Sequence, residues 1–126
     1  MPGTVLVVED NALLMMMYKS ALKEIGADLV HAKSGEEAVK LAHGEAPDLV
    51  IMDIMLPGMS GITAARALRQ LPGLAEVPIV AITTQAELED TPALNEAGFA
   101  GYLSKPVNLD EFLRTIEAHL KRREPV

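Results

Sequence analysis

Leu49-Val50-Ile51-Met52-Asp53-Ile54-Met55-Leu56-Pro57-Gly58 is the stretch that decides the fold. Its first four residues are apolar without alternation, so both faces of the segment want cover, as in the middle of a parallel sheet. The run then stops on a carboxylate, Asp53, and Pro57-Gly58 opens a turn where a helix cap would otherwise be expected. The segment is a buried strand that hands an acid to a loop.

Working outward, Val5-Leu6-Val7-Val8 and Pro78-Ile79-Val80-Ala81-Ile82 have the same unalternating character. Asp28-Leu29-Val30-His31-Ala32 is mixed and suits a less buried edge, and Tyr102-Leu103 is the shortest run. Segments of helical period lie between them. The first spans about Ala12 to Ile25 and stops at Gly26, a C-terminal cap. Ser34 with Glu37 forms a capping box for the second. The third starts near Gly61 and ends before Leu71-Pro72-Gly73. The fifth carries Leu109, Phe112, Leu113, Ile116 and Leu120 on one face, with Asn108 to cap its start. Five strand-helix alternations imply an α/β fold, a doubly wound parallel sheet with right-handed crossovers.

Composition narrows the function. One domain of 126 residues is expected, spanning 1–126 with no second domain, although a domain excised from a larger protein would read the same way. There is no cysteine, which excludes disulfides, thiolate metal sites and thiol catalysis. No apolar stretch reaches membrane-spanning length, and Met1-Pro2-Gly3 lacks signal-peptide layout, so the expectation is a cytoplasmic protein with no membrane partner. A net charge of −7 argues against a nucleic-acid surface. Lys121, Arg122 and Arg123 do cluster, but at a helix end, where they complement the dipole.

The polar residues gather on this scaffold. Glu9 and Asp10 follow the first strand, Asp53 ends the third, Thr83 ends the fourth and Lys105 follows the fifth. All lie at strand carboxyl ends, the edge where open α/β sheets bind ligands. Each has a bland reading: Asp10 could cap the next helix with Asn11 sharing the job, Lys105 could be solvated, and Thr83 could simply pack. Their coincidence on one rim favours function. Two unit charges about 4 Å apart repel by roughly 4 kcal/mol at an effective dielectric near 20, so three carboxylates require a counter-charge. Oxygen donors without His or Cys select Mg²⁺, or Mn²⁺, over zinc. With Lys105 and Thr83 left to bind transferred oxygens, this is a phosphoryl-transfer site.

Val7-Val8-Glu9-Asp10-Asn11, Met52 to Gly61, Ala81-Ile82-Thr83 and Tyr102-Leu103-Ser104-Lys105-Pro106 together resemble the four signature blocks of response-regulator receiver domains. The resemblance covers nearly the whole chain and is nearest to stand-alone receivers of the DivK and chemotaxis type. It implies a flavodoxin-like (βα)5 sheet of order 2-1-3-4-5. It makes Asp53 the phosphoacceptor, fed by a histidine kinase or histidine phosphotransferase. It assigns Mg²⁺ to Asp10, Asp53 and the backbone carbonyl of Met55, with Glu9 ligating directly or through a water. Lys105 would pair with the phosphoryl group and Thr83 would hydrogen-bond to it. Tyr102 would be an aromatic switch, and the peptide before Pro106 would be cis. The output would be binding to a downstream protein, or a phosphorylation-dependent homodimer, and the chain would be no enzyme beyond its own phosphorylation and autodephosphorylation.

Two positions depart from that pattern. Thr84 stands where the family usually has Ala or Gly, and its bulk would either restrict access to the phosphoryl site or alter the inward path of Tyr102. Thr91-Pro92 reads as an N-cap and first-turn proline inside the expected fourth helix, which would shorten or kink it. Elsewhere, placing Tyr18, Ala21, Leu22 and Ile25 toward the core leaves Leu13 and Met16 facing away with Met17 on the flank, which suits a docking patch as readily as incidental exposure. His31, His43 and His119 have no ligand spacing and read as structural or solvent-exposed. Glu87, Glu89 and Asp90 read as a solvated acidic surface.

Three rivals remain. An aspartyl-phosphate hydrolase would want an acid-base group two residues after the nucleophile, where Met55 stands. A flavodoxin-like cofactor binder would need a phosphate-cradling loop, where Glu9-Asp10-Asn11 would repel phosphate. A degenerate receiver that only scaffolds would be expected to have lost some of these five side chains.

Overall fold

The computed structural model describes residues 3–84 and 98–123, with side chains to 120. Strands β1 (Thr4–Val8), β2 (Asp28–Ala32), β3 (Leu49–Asp53), β4 (Ile79–Thr83) and β5 (Gly101–Ser104) form one sheet. Its order is β2-β1-β3-β4-β5, and every neighbouring pair is parallel. Helices α1 (Ala12–Glu24), α2 (Gly35–Gly44), α3 (Gly61–Arg69) and α4 (Leu109–Arg123) complete the described residues. The expected fourth helix around Pro92, with Glu87, Glu89 and Asp90, lies outside the described residues, and α4 is the segment expected as the fifth.

The unalternating strands are explained by two apolar layers. Val5, Val7, Leu49, Ile51, Val80, Ile82 and Leu103 pack under α1 and α4, against Tyr18, Leu22, Phe112 and Ile116. The residues between them, Leu6, Val8, Val50, Met52 and Ile79, pack against Ala38, Ala64 and Leu68 of α2 and α3. Each strand residue is therefore buried on whichever face it points to. β2 is an edge strand and is only partly buried, as its mixed sequence implies.

The helix ends follow local chemistry. Gly26 has φ 72°, and the N–H groups of Gly26 and Ala27 return to the carbonyls of Lys23 and Leu22, a Schellman closure of α1. Ser34 caps α2 through its Oγ, which accepts from Glu37 N–H at 3.1 Å. The box differs from expectation in one respect: the Glu37 carboxylate accepts from Lys33 N–H, one residue before the cap. Asn108 Oδ1 accepts from Glu111 N–H at 3.0 Å and caps α4. Arg69, at the end of α3, donates to the carbonyls of Leu74, Val77 and Gly98, pinning the path into β4 and the approach to β5. No helix among the described residues is long and apolar enough to cross a membrane.

Strand order reverses between β1 and β3. The chain goes one way from β1 to β2 and the other way from β1 to β3, which leaves a crevice at their carboxyl ends.

Candidate functional site

Glu9 and Asp10 enter the crevice from β1, and Asp53 enters it from the last position of β3. Carboxylate oxygens of the three lie within 4.8 Å of one another. Asp10 is exposed, whereas Glu9 and Asp53 are 2% and 4% exposed, so two of the acids sit below the surface. Lys105 comes from beyond β5, and its Nζ lies 2.9 Å from Asp53 Oδ1. The same Oδ1 accepts from Met55 N–H at 2.9 Å, which fixes the first turn after β3 to the acid. The peptide Lys105-Pro106 is cis.

Side-chain alternation assigns the faces. Val5 and Val7 lie under α1 and so does Glu9, two residues on; Ile51 and Asp53 follow the same rule. Thr83 belongs to the opposite face with Ala81, which sits in register with Tyr102. Tyr102 is half-buried, packs beside Ile54 and Ala81, and lies 6.0 Å ring to ring from Phe99. Thr83 is buried, and its hydroxyl donates to the Thr84 carbonyl at 3.4 Å. Thr84 is half-buried beside it.

Asn11 settles the alternative role of Asp10. The Asn11 side chain caps α1 by accepting from Leu14 N–H at 3.0 Å, so Asp10 is not the cap. The Glu9 carboxylate is held through Oε2, which accepts from Asn11 N–H at 3.1 Å. Its Oε1 is buried with no hydrogen-bond partner among the described residues. Burial pushes the Glu9 carboxyl up to about 7, with Asp53 and Asp10 adding to the rise against the Asn11 N–H bond. A buried, unpartnered oxygen in an all-oxygen cluster fits a hard divalent cation. His31 is half-buried with Nε2 on the Glu9 carbonyl, His119 Nδ1 faces Thr115 O, and His43 is exposed; none enters the cluster.

A family model described as the response regulator receiver domain matches residues 5–117. The chain belongs to that family. Among curated relatives of this receiver is the polar-differentiation response regulator DivK of Brucella anthropi, 34% identical over 120 residues, which are 95% of this chain and 98% of the relative. The receiver domain of a Pseudomonas aeruginosa sensor histidine kinase superposes with TM-score 0.86 at 29% identity, covering 96% of this chain and 99% of the other. That relative's structure carries a magnesium ion coordinated in the active-site cleft. Vibrio cholerae chemotaxis response regulator CheY4 gives TM-score 0.88 at 28% identity, covering 95% and 100%.

Reading the receiver's sequence missed two features of the site. Gly61 approaches the back of Asp53, a contact between α3 and β3 that no local pattern announces. Tyr18, on the core-facing side of α1, carries a hydroxyl that is buried without a hydrogen-bond partner among the described residues.

The raised Glu9 carboxyl makes its own contribution to stability run against the usual carboxylate direction. In the metal-free protein the folded carboxyl holds its proton to about 7, whereas an ordinary one loses it near 4.5. Between those values the folded state binds more protons than the unfolded one. The Glu9 contribution to metal-free stability should therefore fall as pH rises from about 4.5 to 7, by up to about 3 kcal/mol. A divalent cation such as Mg²⁺ held by the cluster would show the opposite trend, its affinity rising toward pH 7 and levelling above it. Calorimetric titration at pH 6 and pH 8 checks this, and equal affinities would contradict it.

Proposed function

We propose that this receiver takes a phosphoryl group from a phosphohistidine onto Asp53, with Mg²⁺ in the carboxylate cluster, and thereby changes the protein surface it presents. The observation that supports this most strongly is the Asp53 carboxylate, buried at the sheet's switch point with Lys105 Nζ at 2.9 Å and two more carboxylates beside it.

In the transfer, an Asp53 oxygen bonds to phosphorus as the phosphorus–nitrogen bond to the donor imidazole breaks. The electron pair leaves with that nitrogen, which takes up a proton. Mg²⁺, replaceable by Mn²⁺, would be held by Glu9, Asp10, Asp53 and the Met55 carbonyl, and it supplies neutralising charge for the carboxylates and the phosphoryl oxygens. Lys105 keeps a positive charge beside the accepting carboxylate, and the Thr83 hydroxyl turns from the Thr84 carbonyl to a phosphoryl oxygen. Thr84 narrows access for the water that would hydrolyse the acyl phosphate. Met55, two residues beyond Asp53, has no proton to give a leaving group, so the chain modifies itself and turns over no outside substrate. Thr83 and Tyr102 share one face of the sheet, which lets a Thr83 movement open space for the ring. That biases an equilibrium between two surface states. Output is then binding to a downstream protein, or a homodimer, in the cytoplasm, without direct nucleic-acid contact.

The test is incubation with Mg²⁺ and a small acyl phosphate, followed by mass spectrometry. One added phosphoryl group that Asp53→Asn abolishes is the expected result; turnover of a sugar phosphate would point to a hydrolase.

The donor's docking surface is proposed on α1. Leu13 and Met16 are each 68% exposed, and together with Met17 they line a groove against Leu109 and Leu113 of α4. Flexible methionines suit an adaptable helical partner. Met16→Asp should slow transfer from a phosphohistidine protein tenfold or more, a cost of about 1.4 kcal/mol. It should leave labelling by the small acyl phosphate unchanged. Equal slowing with both donors would place the defect in the site and not in docking.

A further inference from the structure

Nothing in the phosphoryl chemistry uses Tyr18, yet its polar end is conspicuous. The ring is 1% exposed and stacks on Phe112 with centroids 4.7 Å apart. Phenylalanine would satisfy that packing. The hydroxyl has no hydrogen-bond partner among the described residues. An unsatisfied buried polar group costs about 1–3 kcal/mol, and buried tyrosine hydroxyls usually find a partner.

Glu9 Oε1 is a second orphaned atom, and the fold puts the two on one side of the sheet. Tyr18 packs in the layer of Val5, Val7, Leu49 and Ile51, the face that continues upward into Glu9 and Asp53. Helix α1 begins at the carboxyl edge of the sheet, and helical side chains lean toward the start of their own helix. The Tyr18 hydroxyl is thereby carried toward the carboxylates. Electrostatics agree: burial pushes the phenol up to about 12, and Glu9 and then Asp53 add to the rise.

We infer that Tyr18 is a positioning residue of the carboxylate cluster: its hydroxyl donates to a buried water that in turn donates to Glu9 Oε1, steadying Glu9 for a divalent cation. A buried water needs at least two polar partners, and these two atoms supply them. The remaining lone pairs of the carboxylate stay available to the cation. The inference rests on the cluster being the cation site proposed above.

The test compares the unaltered protein, Tyr18→Phe and Asp53→Asn by calorimetric titration with Mg²⁺ at pH 8, alongside melting curves without metal. Tyr18→Phe keeps the ring stack and should bind Mg²⁺ three- to tenfold more weakly. The unaltered protein has two tyrosines and no tryptophan, so Mg²⁺ should also perturb its near-ultraviolet tyrosine absorption. Most of that change should vanish in Tyr18→Phe. Affinity within twofold of the unaltered protein overturns the inference, whatever happens to the melting point; a lower melting point with unchanged affinity would make Tyr18 a packing residue. Should the unaltered protein bind no Mg²⁺, the cation reading fails and this inference with it. Binding that Asp53→Asn weakens and Tyr18→Phe does not would sink the inference alone.

Discussion

Asp53→Asn should leave the protein folded and unable to take phosphoryl from any donor, with incorporation reduced by more than about a hundredfold. An amide nitrogen or oxygen is no substitute for a carboxylate nucleophile, so the loss is chemical and extra donor should not restore it. The same substitution should remove about half or more of the response to Mg²⁺. A cation at a hundred times its dissociation constant stabilises the folded state by about 2.7 kcal/mol. For a domain of this size that is a melting shift of roughly 8–15 °C. If losing one carboxylate weakens binding tenfold or more, the gain at the same concentration falls to about 1.4 kcal/mol or less. Paired melting curves with and without Mg²⁺ measure this directly. An undiminished shift in Asp53→Asn would mean that the ion binds elsewhere.

Gly61→Ala should damage stability and chemistry together. A Cβ at Gly61 would lie 2.6 Å from the Asp53 carbonyl oxygen and 2.7 Å from Ile54 Cα, both backbone atoms that cannot swing aside. Gly61 N–H also donates to the Ile54 carbonyl at 3.1 Å, so α3 cannot back away without losing that bond. Overpacking of this kind costs about 1–3 kcal/mol. The displaced backbone carries Asp53, the proposed phosphoacceptor, so uptake from a small acyl phosphate should also slow. Gly44, at the end of α2, is the control: a Cβ there meets nothing within 4 Å. Gly44→Ala should change stability by no more than about 1 kcal/mol and leave uptake intact. If Gly61→Ala melted and reacted like the unaltered protein, the close approach of α3 to β3 would be wrong.

Most of the fold was legible because its signals are local. Unbroken apolar runs mark strands covered on both faces, and Gly26, Ser34 and Asn108 announce helix ends through bonds closed within a few residues. The Glu37 bond was misplaced by one residue for the same reason: a carboxylate on a flexible stem can reach either neighbouring N–H. The site was legible in outline, since strand ends in a parallel sheet must share an edge. Its interior was less so. Sequence left Asp10 and Asn11 as competing caps, and only the observed bond to Leu14 N–H decided between them.

The sequence by itself determined an α/β sheet, the edge at which Glu9, Asp10, Asp53, Thr83 and Lys105 emerge, and the outward face of Leu13 and Met16, because periodicity and punctuation act along the chain. Tertiary structure alone decided that Lys105 meets Asp53, that Glu9 is buried while its neighbour Asp10 is exposed, that Gly61 abuts the backbone of Asp53, and that the Tyr18 hydroxyl is sealed inside. These are matters of distance between segments far apart in the chain. Burial and Coulomb energy depend on that distance, and no pattern within one segment encodes it.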